Sequence, residues 1–393
     1  MKLHDTLPFV SSEFYYFIAI AVCLFLVAKI GFKKWISYRW LLALVIFSFI
    51  VLLCPKPIQF GFLIVYLYLA LLLLRKFYKH QNIILPMLVL ATPMIFMKTL
   101  GVFPEDTKST FIISAKNIIQ IIGLSYIIFK VIGLYIDERR SATKIAFVDF
   151  FNFTAFVPSL LIGPLDRFQR FNSDVKNGYE NITAELFLQG WSNFIKGLLF
   201  KFIIAEALHR LILSHLTDDG TITYHLLYMY TYLFYLFFDF AGYSLLAIGF
   251  GNFIGINVPI NFDKPFLAVN PKEFWKRWHK TLGDWLNDYF FKPIFKYFTT
   301  KQIFTSIQRQ SIALFLTFSL MGFWNGFKLH YVLSGMLFGL YSVTHNYYIY
   351  KCKVAGKDVV FGKLNPILVK IISIILMFNS VAFAIYLFSG KIL

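Results

Sequence analysis

Cysteine is scarce: Cys23, Cys54 and Cys352 are the only 3 in 393 residues, at unrelated positions. That excludes a disulfide framework and a cysteine-based metal site. Acidic residues are also few, with 20 Asp and Glu against 38 Lys and Arg. There is no polar stretch long enough for a soluble domain or linker and no obvious internal repeat, so one integral domain over residues 1–393 is expected. Missing too are a Gly-x-Ser-x-Gly elbow, a Walker loop, a dinucleotide fingerprint and a His-rich metal spacing. No metal, no cofactor bound by the chain itself and no nucleic-acid partner are therefore expected.

What the chain does have is apolar surface. Apolar residues make up 58% and aromatics 20%, with a mean hydropathy of +0.66. These values define an all-α polytopic membrane protein surrounded by lipid, since only helices with internally satisfied backbones fit such runs. Apolar runs that cross or nearly cross a bilayer begin near Phe14, Trp40, Phe60, Ile83, Phe111, Trp191, Tyr224, Ser311, Tyr331 and Pro366. That gives about ten or eleven spans. The first run is too aromatic for a cleaved signal peptide and reads as a signal anchor. Basic residues concentrate in alternate loops: Lys29–Arg39, Arg75–Lys79, Arg139–Lys144, Arg167–Lys176, Lys264–Lys301 and Lys351–Lys363. Positive-inside bias puts those loops in the cytoplasm of a plasma-membrane protein, with Asp218, Asp219 and the amino terminus outside.

Two regions break the span-loop-span rhythm. Val148–Phe171 is apolar but punctuated by Pro158, Gly163 and Pro164, which predicts a re-entrant pair of short helices. The second is Asn257–Tyr297, interrupted by Pro259, Pro265, Pro271 and Pro293. Within it, Lys272–Phe291 reads as one amphipathic helix. Its periodicity puts Trp275, Trp278, Leu282, Trp285, Leu286 and Tyr289 on one face, and Lys276, Arg277, Lys280, Asp284, Asn287 and Asp288 on the other. His279 lies at the edge of the apolar face. An imidazole inside a membrane protein is either a core residue held by a backbone carbonyl or part of a functional site.

Other polar residues in apolar surroundings are Asp239, with no basic neighbour in sequence, and Asp166, beside Arg167. Asn325 follows Trp324 at the end of an apolar run, Gly326 offers a turn, and His330 opens the next run.

Several separated motifs resemble the membrane-bound O-acyltransferase superfamily, and within it the D-alanyl-transferring branch: GLSYIIFK (Gly123–Lys130), GPLDRFQRF (Gly163–Phe171), FDFAGYS (Phe238–Ser244), GINVPINFDKPF (Gly255–Phe266), FWKRWHKTLGDWLNDYFFKP (Phe274–Pro293) and MGFWNGFKLHYVLSG (Met321–Gly335). The resemblance implies helices in a ring around a central tunnel, with re-entrant and amphipathic helices forming a cytoplasmic funnel. It implies an acyl donor carried as a thioester on the phosphopantetheine arm of a small acidic carrier protein, and a teichoic acid on the outer side of the membrane as acceptor. It also implies two tunnel histidines. His279 matches the first; the second belongs to a Trp-His-Gly tripeptide, where this chain has Asn325. The catalytic candidates are therefore His279 and Asn325, with His330, Asp239 and Trp324 as further catalytic or tunnel-lining candidates, and Lys276, Arg277 and Lys280 as the carrier-docking face. Two other expectations remain open: O-acetylation of an exported polysaccharide, and a member weakened or inactivated by the loss of the second histidine.

Overall fold

The computed structural model describes residues 11–78, 83–101, 121, 123–141, 145–160, 163–356 and 365–392. The expected span from Phe111 is described only from its later half, and the basic residues Lys79, Lys144 and Lys363 lie outside the described residues. Among the described residues all regular structure is helical, as apolar runs without water to satisfy their backbone require. Among the described residues four helices are long and apolar enough to cross a membrane: Ser12–Phe32, Pro57–Phe77, Ile222–Phe253 and Pro366–Ser389. Tyr38–Leu53 and Ile84–Leu100 are shorter apolar helices.

Contacts divide the chain into two units, Met1–Leu198 with Gly242–Pro259, and Leu199–Ala241 with Ile260–Leu393. The first contains α1 (Ser12–Val27, prolonged by a π turn), α2 (Tyr38–Leu53), α3 (Pro57–Phe77), α4 (Ile84–Leu100), α5 (Leu124–Ser141), α6 (Phe147–Thr154), α7 (Val157–Leu160), α8 (Phe168–Asn177) and α9 (Ala184–Leu198). The Ser11 hydroxyl accepts the Phe14 N–H to start α1, and Pro57 opens α3, where its missing N–H costs nothing. The interruption expected at Val148–Phe171 takes the form of α6 and the four-residue α7, buried throughout Asn152–Leu160. Lys130 of α5 ties them together: its ammonium donates to Phe153 O at 2.9 Å and to Ser159 Oγ at 2.7 Å. Asp166 differs from its sequence reading. Its ion-pair partner is Arg170, one turn on, which also reaches Asp174 at 2.8 Å, whereas Arg167 supplies only its backbone N–H. A side chain at i+4 folds back along the helix in a way that an adjacent one cannot.

The long helix α10 (Ile222–Phe253) belongs to the second unit up to Ala241 and to the first from Gly242. The second unit begins with π-helical turns at Leu199–Ala205 and Leu208–Leu213. After α10 come α11 (Pro271–Trp275), α12 (Lys280–Leu286), α13 (Lys292–Thr300), α14 (Ser306–Asn325), α15 (Leu329–Val354) and α16 (Pro366–Ser389). Helices α14 and α15 pack through glycine. A Cβ at Gly335 would sit 2.6 Å from Phe318 O, and one at Gly322 2.6 Å from Tyr331 O. Gly326 also differs from expectation, because its backbone is extended at φ 169° and asks for no special freedom; its missing side chain makes room for the Tyr331 ring, 2.8 Å from a built Cβ.

The single amphipathic helix expected over Lys272–Phe291 is broken. α11 ends at Trp275, α12 starts at Lys280, and a π turn follows at Asn287–Phe291. The cause is the preceding loop. Asp263 N–H donates to Arg277 O at 2.9 Å and Lys280 N–H donates to Asn261 O at 2.9 Å, so groups that a continuous helix would pair internally are taken by the loop. Thr281 Oγ1 adds a 2.5 Å bond to Asn261 Oδ1. The in-out partition nevertheless survives: Trp278, Leu282, Trp285, Leu286 and Tyr289 are buried, while Lys276, Lys280 and Asn287 are exposed. Each short piece keeps its apolar side inward by its own packing.

Candidate active site

At the break stands His279. It is the residue before α12 and takes left-handed backbone angles, φ 43° and ψ 49°. A non-glycine side chain in that region costs on the order of 1–3 kcal/mol and persists only when its surroundings over-determine it. Here the two loop bonds, Asp263–Arg277 and Asn261–Lys280, grip the chain on either side. The strained backbone sends the imidazole inward. His279 is 5% exposed, its ring is edge-on to Phe240 at 4.6 Å between centroids, and Trp324 lies at 6.5 Å.

Nε2 of His279 is buried and has no hydrogen-bond partner among the described residues. An orphaned buried polar atom costs about 1–3 kcal/mol, so its retention calls for a ligand or a reaction. His279 lies outside the long apolar helices, and burial pushes its imidazole down from the usual value to about 3. The ring is therefore neutral at physiological pH, with a nitrogen able to accept a proton.

The other candidates separate. Trp324 shares the wall of the His279 site, and Asn325 follows it as the last residue of α14. The Asn325 amide donates to Met321 O at 2.9 Å, turned back onto its own helix. His330 is placed elsewhere: its Nδ1 meets Phe388 O at 2.7 Å, where it satisfies an end carbonyl of α16. Asp239 has no basic neighbour in sequence, and its cation comes from a distant segment: Lys201 pairs with it. Sequence distance hid the pair, although an intramembrane lysine in LLFKFIIA demanded a partner. The residue after Asp239 is Phe240, the ring against His279; it lies within the FDFAGYS motif but is not among the candidate residues read from the sequence.

The docking candidates also divide. Arg277 bonds Glu273 at 2.5 Å. The backbone N–H of Val269, ahead of Arg277, holds the Glu273 carboxyl below its ordinary range. Lys276 and Lys280 are exposed.

The fold and this site define an all-helical integral-membrane protein with a buried, unpartnered imidazole. Residues 93–389 match the model of the MBOAT, membrane-bound O-acyltransferase family, so the chain belongs to that family and is an acyltransferase. It is 32% identical over 292 residues to the teichoic acid D-alanyltransferase of Streptococcus thermophilus, covering 70% of this chain and 69% of that protein. To the Bacillus subtilis teichoic acid D-alanyltransferase it is 34% identical over 281 residues, 70% of each chain. A probable alginate O-acetylase of Pseudomonas fluorescens is 32% identical over 256 residues, 63% of this chain but 47% of the relative.

Proposed function

We propose that this acyltransferase moves a D-alanyl group from a thioester on the phosphopantetheine arm of an acidic cytoplasmic carrier protein to a hydroxyl of teichoic acid, with His279 as the base. The observation that carries the reading is the orphaned Nε2 of a buried, neutral His279. The D-alanyl assignment is supported by the two-thirds coverage in both directions with proteins bearing that activity. As the acceptor oxygen bonds the thioester carbonyl carbon, Nε2 takes the hydroxyl proton. The carbon–sulfur bond then breaks and the proton passes to the departing thiolate, giving an ester and a free thiol. The aromatic rings of Phe240 and Trp324 keep water from the acyl group. The test is transfer of labelled D-alanine from a loaded carrier in proteoliposomes; labelled acetyl transfer with no D-alanyl transfer would favour the polysaccharide O-acetylase reading instead.

Asn325 stands where the family pattern has its second histidine, beside Trp324. If its amide swings from Met321 O to the oxyanion during the reaction, Asn325→Ala lowers transfer by about 10²-fold, while Asn325→His is tolerated. A drop below about threefold for Asn325→Ala leaves it a helix-end residue only. Activity appearing only in Asn325→His would identify the parent as an inactive member.

Carrier docking falls to the exposed ammonium groups of Lys276 and Lys280. Lys276→Glu with Lys280→Glu is expected to weaken carrier binding at least about tenfold at low ionic strength, with the difference shrinking as salt shortens the screening length to about 3 Å at 1 M. Equal binding at low salt would mean that these lysines serve only membrane topology.

A further inference from the structure

One face of α10 carries a ladder of tyrosines that the acyl-transfer chemistry at His279 does not use. Tyr224, Tyr228, Tyr232 and Tyr235 recur at steps of four, four and three, so they share a face. Their rings form a continuous row: Tyr224–Tyr228 at 5.9 Å, Tyr228–Tyr232 stacked at 5.6 Å and Tyr232–Tyr235 at 6.1 Å. Asp239 lies one turn beyond Tyr235 and within its electrostatic reach, and the next residue, Phe240, is the ring against His279. At the far end the row begins just after the loop of Asp218 and Asp219. From Tyr224 to Tyr235 the rise is about 16 Å. An interfacial aromatic belt is confined to the headgroup layer, so a row of this length is not one.

Three features distinguish the row from ordinary core packing. The chain has 48 Phe against 23 Tyr, so it places phenylalanine freely where a ring only packs, as at Phe234 and Phe237 elsewhere on the same helix. A buried tyrosine hydroxyl must find a partner, yet Tyr224 Oη is buried, in a residue only 4% exposed, with no hydrogen-bond partner among the described residues. Tyr228, Tyr232 and Tyr235 are half-buried rather than sealed. Tyr386 of α16 joins the row at 5.7 Å from Tyr228, and Lys391 sets its ammonium 5.9 Å from the Tyr228 ring.

We infer that this ladder is the acceptor track: it binds a polyol-phosphate chain, with polyol segments lying along the tyrosine rings and hydroxyls and a phosphate held by Lys391, and it delivers one of the chain's hydroxyls toward Phe240 and His279. This deepens the proposed function, on which it rests for the identity of the acceptor. Hydroxylated aromatic rings suit a polyol because the ring meets the C–H face while the phenol exchanges hydrogen bonds with its hydroxyls, and a single cation at the entrance suits a phosphate diester.

The test uses the full-length protein in nanodiscs, a glycerol-phosphate hexamer as probe and maltohexaose as the uncharged comparison. Binding is read by surface plasmon resonance, and transfer is measured separately. Tyr228→Ala with Tyr232→Ala is expected to raise the hexamer Kd and the acceptor KM about tenfold, with the carrier KM unchanged. The packing-conserving Tyr228→Phe with Tyr232→Phe should give a smaller rise, and Lys391→Ala should weaken the hexamer while leaving maltohexaose unaffected. Unchanged hexamer binding in both double variants overturns the track, as does equal affinity for maltohexaose. A parent that binds the hexamer but transfers nothing to it keeps the track and removes the transfer reading, so the two fail separately.

Discussion

His279→Asn abolishes acyl transfer, to at least the ~10²- to 10⁴-fold that a positioned base supplies, while the protein remains folded. Asparagine is the informative replacement because position 279 has φ 43°, and asparagine is among the few residues that enter the left-handed region readily. It therefore keeps the break between α11 and α12 and the clamp from Asn261 and Asp263, yet it has no basic nitrogen. His279→Ala should be equally inactive but less stable, because alanine resists the backbone angles and leaves a void beside Phe240. A His279→Asn protein that transfers within about tenfold of the parent would remove the base assignment.

The pH profile offers a second check on the same residue. Burial holds the imidazole down to about 3, so His279 stays unprotonated and the kcat profile should show no loss on its account between pH 8 and 5. An ordinary histidine would begin to fail near its usual value of 6.5. Stability follows the same sign: below pH 6.5 the unfolded chain binds a proton there that the folded chain refuses. Stability is unaffected by His279 above that value and is lost as pH falls toward the folded value. An acid limb centred near 6.5 that disappears in a correctly folded, partly active variant would show that water reaches the ring.

Much of this was legible from composition, because a chain 58% apolar, in long runs, admits few architectures, and the motifs around Phe238–Pro293 carried the family. The burial of Trp278, Leu282 and Tyr289 also followed from periodicity. The helix break at His279 did not, since a helical wheel assumes that each residue's backbone pairs within its own segment. Two hydrogen bonds, Asp263 to Arg277 and Asn261 to Lys280, violate that assumption from 14 and 19 residues upstream. The pairing of Lys201 with Asp239 was hidden for the same reason: a contact made by folding leaves no trace in local spacing. The tyrosine row had a visible period, but in a chain with 20% aromatics a period of rings says nothing until burial shows the Tyr224 hydroxyl without a partner among the described residues.

Lys201→Met should lower stability by ~3–5 kcal/mol, the cost of leaving a buried charge without its counterion. The Lys201 side chain is 4% exposed and that of Asp239 19%, so little water is present to replace the lost partner. Lys201 sits within the π-helical stretch Leu199–Ala205, where the widened turn re-aims side chains relative to a regular helix. The pair therefore fixes the register of that stretch against α10, one residue from the Phe240 ring that touches His279. Combining Lys201→Met with Asp239→Asn should recover most of the lost stability, because removing both charges removes the desolvation that neither can bear alone. Thermal unfolding in detergent reads both effects, and an unchanged Tm for Lys201→Met would show that the pair is solvated and holds nothing. Transfer activity in the double variant then separates two roles: if activity returns with stability, the pair only sets the position of Phe240, whereas a stable protein that stays inactive means that the charges themselves act on the acceptor as it nears His279.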